Sequence, residues 1–220
     1  MAYYLTFGIY LVIIAAGFLT GSLFYRKQNK NILPVIVILG YTMVSQTASL
    51  LAAAIIRNNL PIEHMYSVVS TALWGWFFFT NIQGSSTKSL IKWVTAALVV
   101  FFLINAFFIQ GLDSFPDNAM KLATAFNLIW GFVLFIQQLD LPAGENVFRN
   151  PIFLVAIGLV WFNIISSFYF FLKVFLTKYN ILPDKIDMLH TISNYLYYII
   201  FLTAMIFLKN FNQHVRTIRN

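Results

Sequence analysis

No Asp, Glu, Lys or Arg falls near the middle of any long apolar run in this 220-residue chain, so the residues that could do chemistry at depth are neutral ones. They are Gln46, Trp74, Asn127, Trp130, Asn163, Ser166, Ser167, His190, Ser193, Asn194 and Tyr197. An amide, hydroxyl or indole in hydrocarbon must find an internal partner, so these side chains are expected to face one another or a cavity rather than lipid. His190, Ser193, Asn194 and Tyr197 follow the spacing i, i+3, i+4, i+7, which places them on one face of a helix. An outward-opening pocket lined in this way suits an uncharged polar or aromatic ligand better than an ion. The same residues also fit a plainer role, as interhelical hydrogen bonds that fix packing at about 0.6 kcal/mol per contact.

A second constellation pairs carboxylates with imidazoles. Glu63 and His64 open one apolar run, and Asp187 and His190 open another. Carboxylate plus imidazole is a workable zinc set, which makes these four the metal candidates. Intramembrane hydrolases of the ceramidase type carry a His-x-x-x-His pair on the last helix, whereas only His190 is available here, so solvated polar residues at helix ends are the reading adopted. Imidazole's titration range also makes His190 a candidate pH-responsive group, while His214 reads as surface. Zero cysteines exclude disulfides, thiolate metal sites and cysteine nucleophiles. The lack of a mid-depth carboxylate argues against a proton relay, and the lack of a mid-depth lysine in the last run excludes a retinal Schiff base. No catalytic residue, cofactor or enzymatic activity is expected.

The elements that must position these groups are membrane helices. With 60% hydrophobic and 10% charged residues and a mean hydropathy of +0.78, a water-soluble globule is excluded. About 20 apolar residues suffice for a helix to cross the hydrocarbon, and seven such runs are expected, at 3–25, 32–56, 65–82, 93–109, 121–138, 151–172 and 186–208. The chain therefore reads as an all-α, polytopic membrane protein with a single seven-helix transmembrane domain over 1–220 and no soluble domain. The first run lacks a basic n-region and a small-residue cleavage pattern, and it is expected to be retained.

Orientation follows from the basic residues in the connections. One side collects Arg26, Lys27, Lys30, Lys88, Lys92, Arg149, Lys209, Arg216 and Arg219, the other Arg57, Lys121, Lys173, Lys178 and Lys185. The richer side should be cytoplasmic, placing the N-terminus outside and the C-terminus inside. The formal charge of +7 is thus a topology signal met by anionic lipid, with no basic block to suggest nucleic acid. Gly17 and Gly21 form a G-x-x-x-G on the first run, a candidate homodimer face.

An internal duplication is also legible. NNLPIEHMYSVVSTALW enters the third run and YNILPDKIDMLHTISNYLY the seventh. Both carry Asn, Leu-Pro, an acid, a Met and a Ser. Halves 1–83 and 121–208 would then be parallel repeats, joined by a lipid-facing linker helix over 93–109 that is apolar except for Asn105. The alternative is that Asn and Pro simply mark helix starts.

The stretch over 150–207, NPIFLVAIGLVWFNIISSFYFFL followed by MLHTISNYLYYIIFLTAMIF, resembles the closing helices of small bacterial seven-helix membrane proteins that serve as sensory modules of, or companions to, histidine kinases. The matching positions are Asn150, Pro151, His190 and Asn194. The resemblance implies a receptor-like signalling protein of the bacterial inner membrane. It would bind a small ligand and act through a cytoplasmic partner such as a histidine kinase, since no kinase domain follows Leu208. The three-plus-one-plus-three plan is also similar to that of SWEET-type sugar uniporters and PnuC-type vitamin transporters, with Trp74 and Asn194 at suitable depths. The Pro-Gln pair typical of the first group is absent.

Overall fold

The computed structural model describes residues 2–140, 147–178 and 183–219. The repeat-motif positions 179–182 lie outside them, as do the side chains of Lys27, Lys173, Lys178, the motif's acid Asp184, Lys185, Lys209, His214, Arg216 and Arg219. Among the described residues there is no strand. The helices are α1 (Ala2–Phe24), α2 (Leu33–Ile55), α3 (Leu60–Asn81), α4 (Ser85–Ile104), α5 (Asp117–Leu139), α6 (Pro151–Lys178) and α7 (Pro183–Arg219). A 3-10 segment, Lys27–Ile32, leads into α2, another, Val147–Arg149, leads into α6, and a π-turn, Asn105–Ile109, prolongs α4.

Among the described residues, six stretches are long and apolar enough to cross a membrane: Phe7–Phe24, Asn29–Ile55, Ser85–Ile109, Asp117–Leu139, Pro151–Phe170 and Ile186–Leu208. The chain is thus an all-helical, multi-pass membrane protein. α3 is not among the six, because Glu63, His64, Ser67, Ser70, Thr71 and Asn81 dilute its apolar residues.

The helix starts have local causes. Pro34, Pro61 and Pro151 sit in first turns, where a missing N–H removes no intrahelical bond. Asn150 Oδ1 accepts from the Ile152 amide at 2.9 Å and caps α6, while Asn58 Oδ1, one residue ahead of the Asn59 N-cap, accepts from the Leu60 amide at 3.0 Å and turns the chain into α3. α3 accordingly begins at Leu60, ahead of the expected 65, and takes Glu63 and His64 into its first turn and a half. α4 begins at Ser85, ahead of the expected 93, after Gly84 turns the chain with φ +98°.

Two compact units divide the chain, residues 1–123 and 124–220. In the first, α1 packs on α2, α2 on α3 and α3 on α4, the antiparallel succession that short connections dictate. Ile14, Leu39, Phe77, Phe78, Ile91 and Phe102 fill its interior. Asn81 Nδ2 donates to the Asn31 carbonyl at 2.9 Å and ties the end of α3 to the 3-10 entry of α2. Asn105 is fully buried, contrary to the expectation for a lipid-facing linker. It donates to Gln110 Oε1 at 2.6 Å and accepts from Asn118 Nδ2 at 3.3 Å, closing the connection between α4 and α5. Gly17 and Gly21 are buried within the chain.

In the second unit α6 and α7 form the main contact. Gly158 lets the Phe201 ring approach so closely that a Cβ there would lie 3.1 Å from it. The α5 segment of this unit joins through Gly131 against Leu159 and Phe135 stacked on Phe153 with centroids 5.5 Å apart.

Candidate functional site

Of the eleven neutral site candidates, Gln46 and Trp74 lie in the first unit and the other nine in the second. The densest polar arrangement of the first unit is a seam between α2 and α3. Thr42, Ser45 and Ser49 are buried on α2 at i, i+3, i+7, and Ser67, Ser70, Thr71 and Trp74 are buried on α3 at i, i+3, i+4, i+7. Ser49 Oγ donates to Glu63 Oε1 at 2.7 Å and accepts from Asn59 Nδ2 at 2.8 Å. Tyr41 and Tyr66 stack with an interplanar angle of 4° across the same seam, and Tyr41 Oη donates to the Met65 carbonyl at 3.2 Å. Ser67 and Ser70 return their hydroxyls to carbonyls one turn back on α3, at 3.0 and 3.4 Å. Thr71 Oγ1 is buried with no partner. These hydroxyl rows were not among the predicted site residues, although their helical spacing is plain in the sequence.

His64 closes one end of this seam. It is 2% exposed, and its Nε2 lies 2.9 Å from the Ser114 carbonyl. A carbonyl can only accept, so Nε2 carries the proton and donates. The expectation of a solvated helix-end histidine is therefore corrected: His64 is a buried strut between α3 and the connection before α5. The nearby Asn58 Nδ2 reaches Asp113 Oδ1 at 3.5 Å, again joining those two connections. Glu63 is committed to Ser49. Asp187 and His190, the other two metal candidates, belong to the second unit. Among the described residues no three His, Asp or Glu side chains gather as a metal would require.

In the second unit the structure brings several candidates together around His190 on α7. Ser166 Oγ of α6 shares a hydrogen bond with His190 Nε2 at 3.2 Å. Tyr169 stacks on the imidazole with centroids 4.3 Å apart, and Phe162 and Phe170 lie beside it at 5.6 and 6.4 Å. Phe162 also stacks on Tyr197 at 4.7 Å, and Tyr197 meets Phe201 at 4.2 Å. An aromatic column thus runs along the α6–α7 interface with one imidazole set into it. Ser193 lies one turn from His190, is 2% exposed, and its hydroxyl has no partner. Asn194 is half-buried beside it in sequence.

Other candidates spend their polar groups locally. Asn163 Nδ2 donates to the Leu159 carbonyl at 2.7 Å, and Ser167 Oγ donates to the Asn163 carbonyl at 2.8 Å, both within α6. Trp130 is buried on α5, and Asn127 there keeps a buried Oδ1 without a partner. Trp74 meets Phe77 edge-on at 5.5 Å, and Gln46 is half-buried. Phe162, Tyr169 and Phe170, which shape the surroundings of His190, escaped the sequence reading because aromatics occur throughout the chain. Only the partner helix shows which of them meet an imidazole. No protein-family model, curated protein or solved structure matches this chain.

Proposed function

We propose that this chain is a receptor-like signalling protein that crosses the membrane seven times, with its N-terminus outside and its C-terminus in the cytoplasm. α3 is the seventh crossing, its polar seam covered by α2. The ligand is a small uncharged polar or aromatic molecule taken up at the His190 end of the α6–α7 interface. The signal passes along α7 to a cytoplasmic partner, and a histidine kinase in the bacterial inner membrane is the class that the resemblance over 150–207 implies. One observation carries the reading: the Ser193 hydroxyl is buried without a partner one turn from an imidazole held between aromatic rings. Such a group costs free energy unless something pairs with it, and a ligand hydroxyl or amide is suited to do so.

A thermal-shift panel of neutral sugars, nucleosides and aromatic amides on the purified protein tests this. A ligand at about 100 times its dissociation constant stabilises by about 2.7 kcal/mol. Loss of that shift in both His190→Ala and Ser193→Ala supports the reading, and its retention in both contradicts it.

A second reading, a small-solute facilitator of the SWEET or PnuC plan, draws support from the hydroxyl rows of α2 and α3 and the unpartnered Thr71. It requires the two repeat halves to alternate access. Flux of a shift-inducing solute into proteoliposomes favours the facilitator, and binding without flux favours the receptor. A homodimer built on Gly17 and Gly21 would require α1 to release the contacts that bury both glycines.

A further inference from the structure

The α3–α4 hairpin carries a feature that neither reading uses. A groove of about 480 Å³ runs between the two helices, floored by Ala72, Gly75, Thr95 and Ala96 and walled by Trp76 and Phe79. Its floor is low because the helices touch there: a methyl group at Gly75 would overlap the Thr95 side chain. Trp76 and Phe79 are 40% and 43% exposed, so the groove is open along its length. At the end nearest the 82–84 turn, Lys92 lines the groove, and Lys88 Nζ lies 5.8 Å from the centre of the Phe79 ring. Residues 64–112 contain no Asp or Glu, and Lys88 and Lys92 are their only Lys or Arg residues. Among the described residues neither ammonium is paired with a carboxylate.

We propose that this groove seats an acyl chain of an anionic phospholipid, with Lys88 and Lys92 binding its phosphate. The two lysines stand four residues apart on one face of α4, near the helix end where a span meets the headgroups. Each ammonium lies near an aromatic ring, Lys88 Nζ over Phe79 and Lys92 Nζ 5.6 Å from the centre of the Trp93 ring, and lysines at such an interface attract anionic headgroups. The trench then leads from the phosphate along short side chains toward Ala72 and Val99. A second copy of this chain fits poorly, because a two-fold contact through this face would set the same uncompensated lysines against each other. The site stays at the hairpin turn whichever way the chain is oriented, and with the orientation proposed above it serves the inner leaflet.

Native mass spectrometry of the full chain tests the proposal, using mild detergent with equimolar phosphatidylglycerol and phosphatidylcholine of identical acyl chains. Wild-type protein is expected to retain phosphatidylglycerol preferentially, and Lys88→Gln/Lys92→Gln is expected to weaken that retention roughly thirtyfold, as two lysine–anion contacts at a membrane surface imply. Ala96→Trp, which fills the trench, is expected to reduce retention of both lipids. The glutamine variant changes solvent-facing side chains, and an unchanged melting curve shows that it folds. An equal phosphatidylglycerol preference in that folded variant overturns the proposal. So does full displacement of the lipid by inorganic phosphate, which would leave no role for the groove. Efficient cross-linking between copies through Ala96→Cys overturns it as well.

Discussion

The α2–α3 seam and the α6–α7 interface both bury polar groups between apolar helices, yet they spend them differently. In the seam several polar atoms reach across to other elements, Ser49 to Glu63 and Asn59, Tyr41 to Met65, and His64 to Ser114, while Ser67 and Ser70 bond back onto α3 and Thr71 has no partner. At α6–α7 one such bond crosses, between Ser166 and His190, while Asn163 and Ser167 turn back onto their own helix and Ser193 is left without a partner. Cross-element bonds hold a structure together and are costly to cut. A buried hydroxyl without a partner contributes little to that, and under the proposed function it is the group that a ligand would pair with. Stability is therefore expected to reside more in the seam, and binding at the α6–α7 interface.

Single substitutions test that contrast. Gly75→Leu drives α3 from α4 against Thr95 and is expected to cost about 3 kcal/mol, at the upper end of overpacking losses, read as a lower melting temperature in detergent. His64→Ala strands the Ser114 carbonyl and is expected to cost about 2 kcal/mol by the same measurement. Asn163→Ala removes a bond within one helix, and a loss of only about 0.6 kcal/mol is expected. Ser193→Ala should change stability least, by under about 0.5 kcal/mol, because its hydroxyl has no bond to lose. A large loss for Ser193→Ala alongside a negligible one for His64→Ala would reverse the assignment of the two regions.

Much of this was legible in the sequence because hydropathy and helix-start chemistry are local. Pro-marked entries and apolar runs place the six membrane-competent helices found among the described residues within a few residues of the expected limits, apart from the early start of α4. The polar groups were legible as residues but not as partners. Nothing local to His64 indicates that the carbonyl of Ser114, fifty positions away, accepts its hydrogen bond, and Asn105 reads as a lone polar residue on a lipid-facing helix, whereas the π-turn brings Gln110 and Asn118 onto it. The seam hydroxyls were missed for a different reason. Each is small and common in membrane helices, and only the facing of two such rows makes them a feature.

The chain's lack of native cysteine makes its topology directly measurable, and the crossing of α3 is the point on which the seven-helix account turns. Single cysteines at Arg57 and Ser86 flank that helix, and both positions are exposed. With a membrane-impermeant maleimide on intact cells, the account predicts labelling at 57 and protection at 86 until the cells are opened. Labelling of both positions from the same side would contradict it.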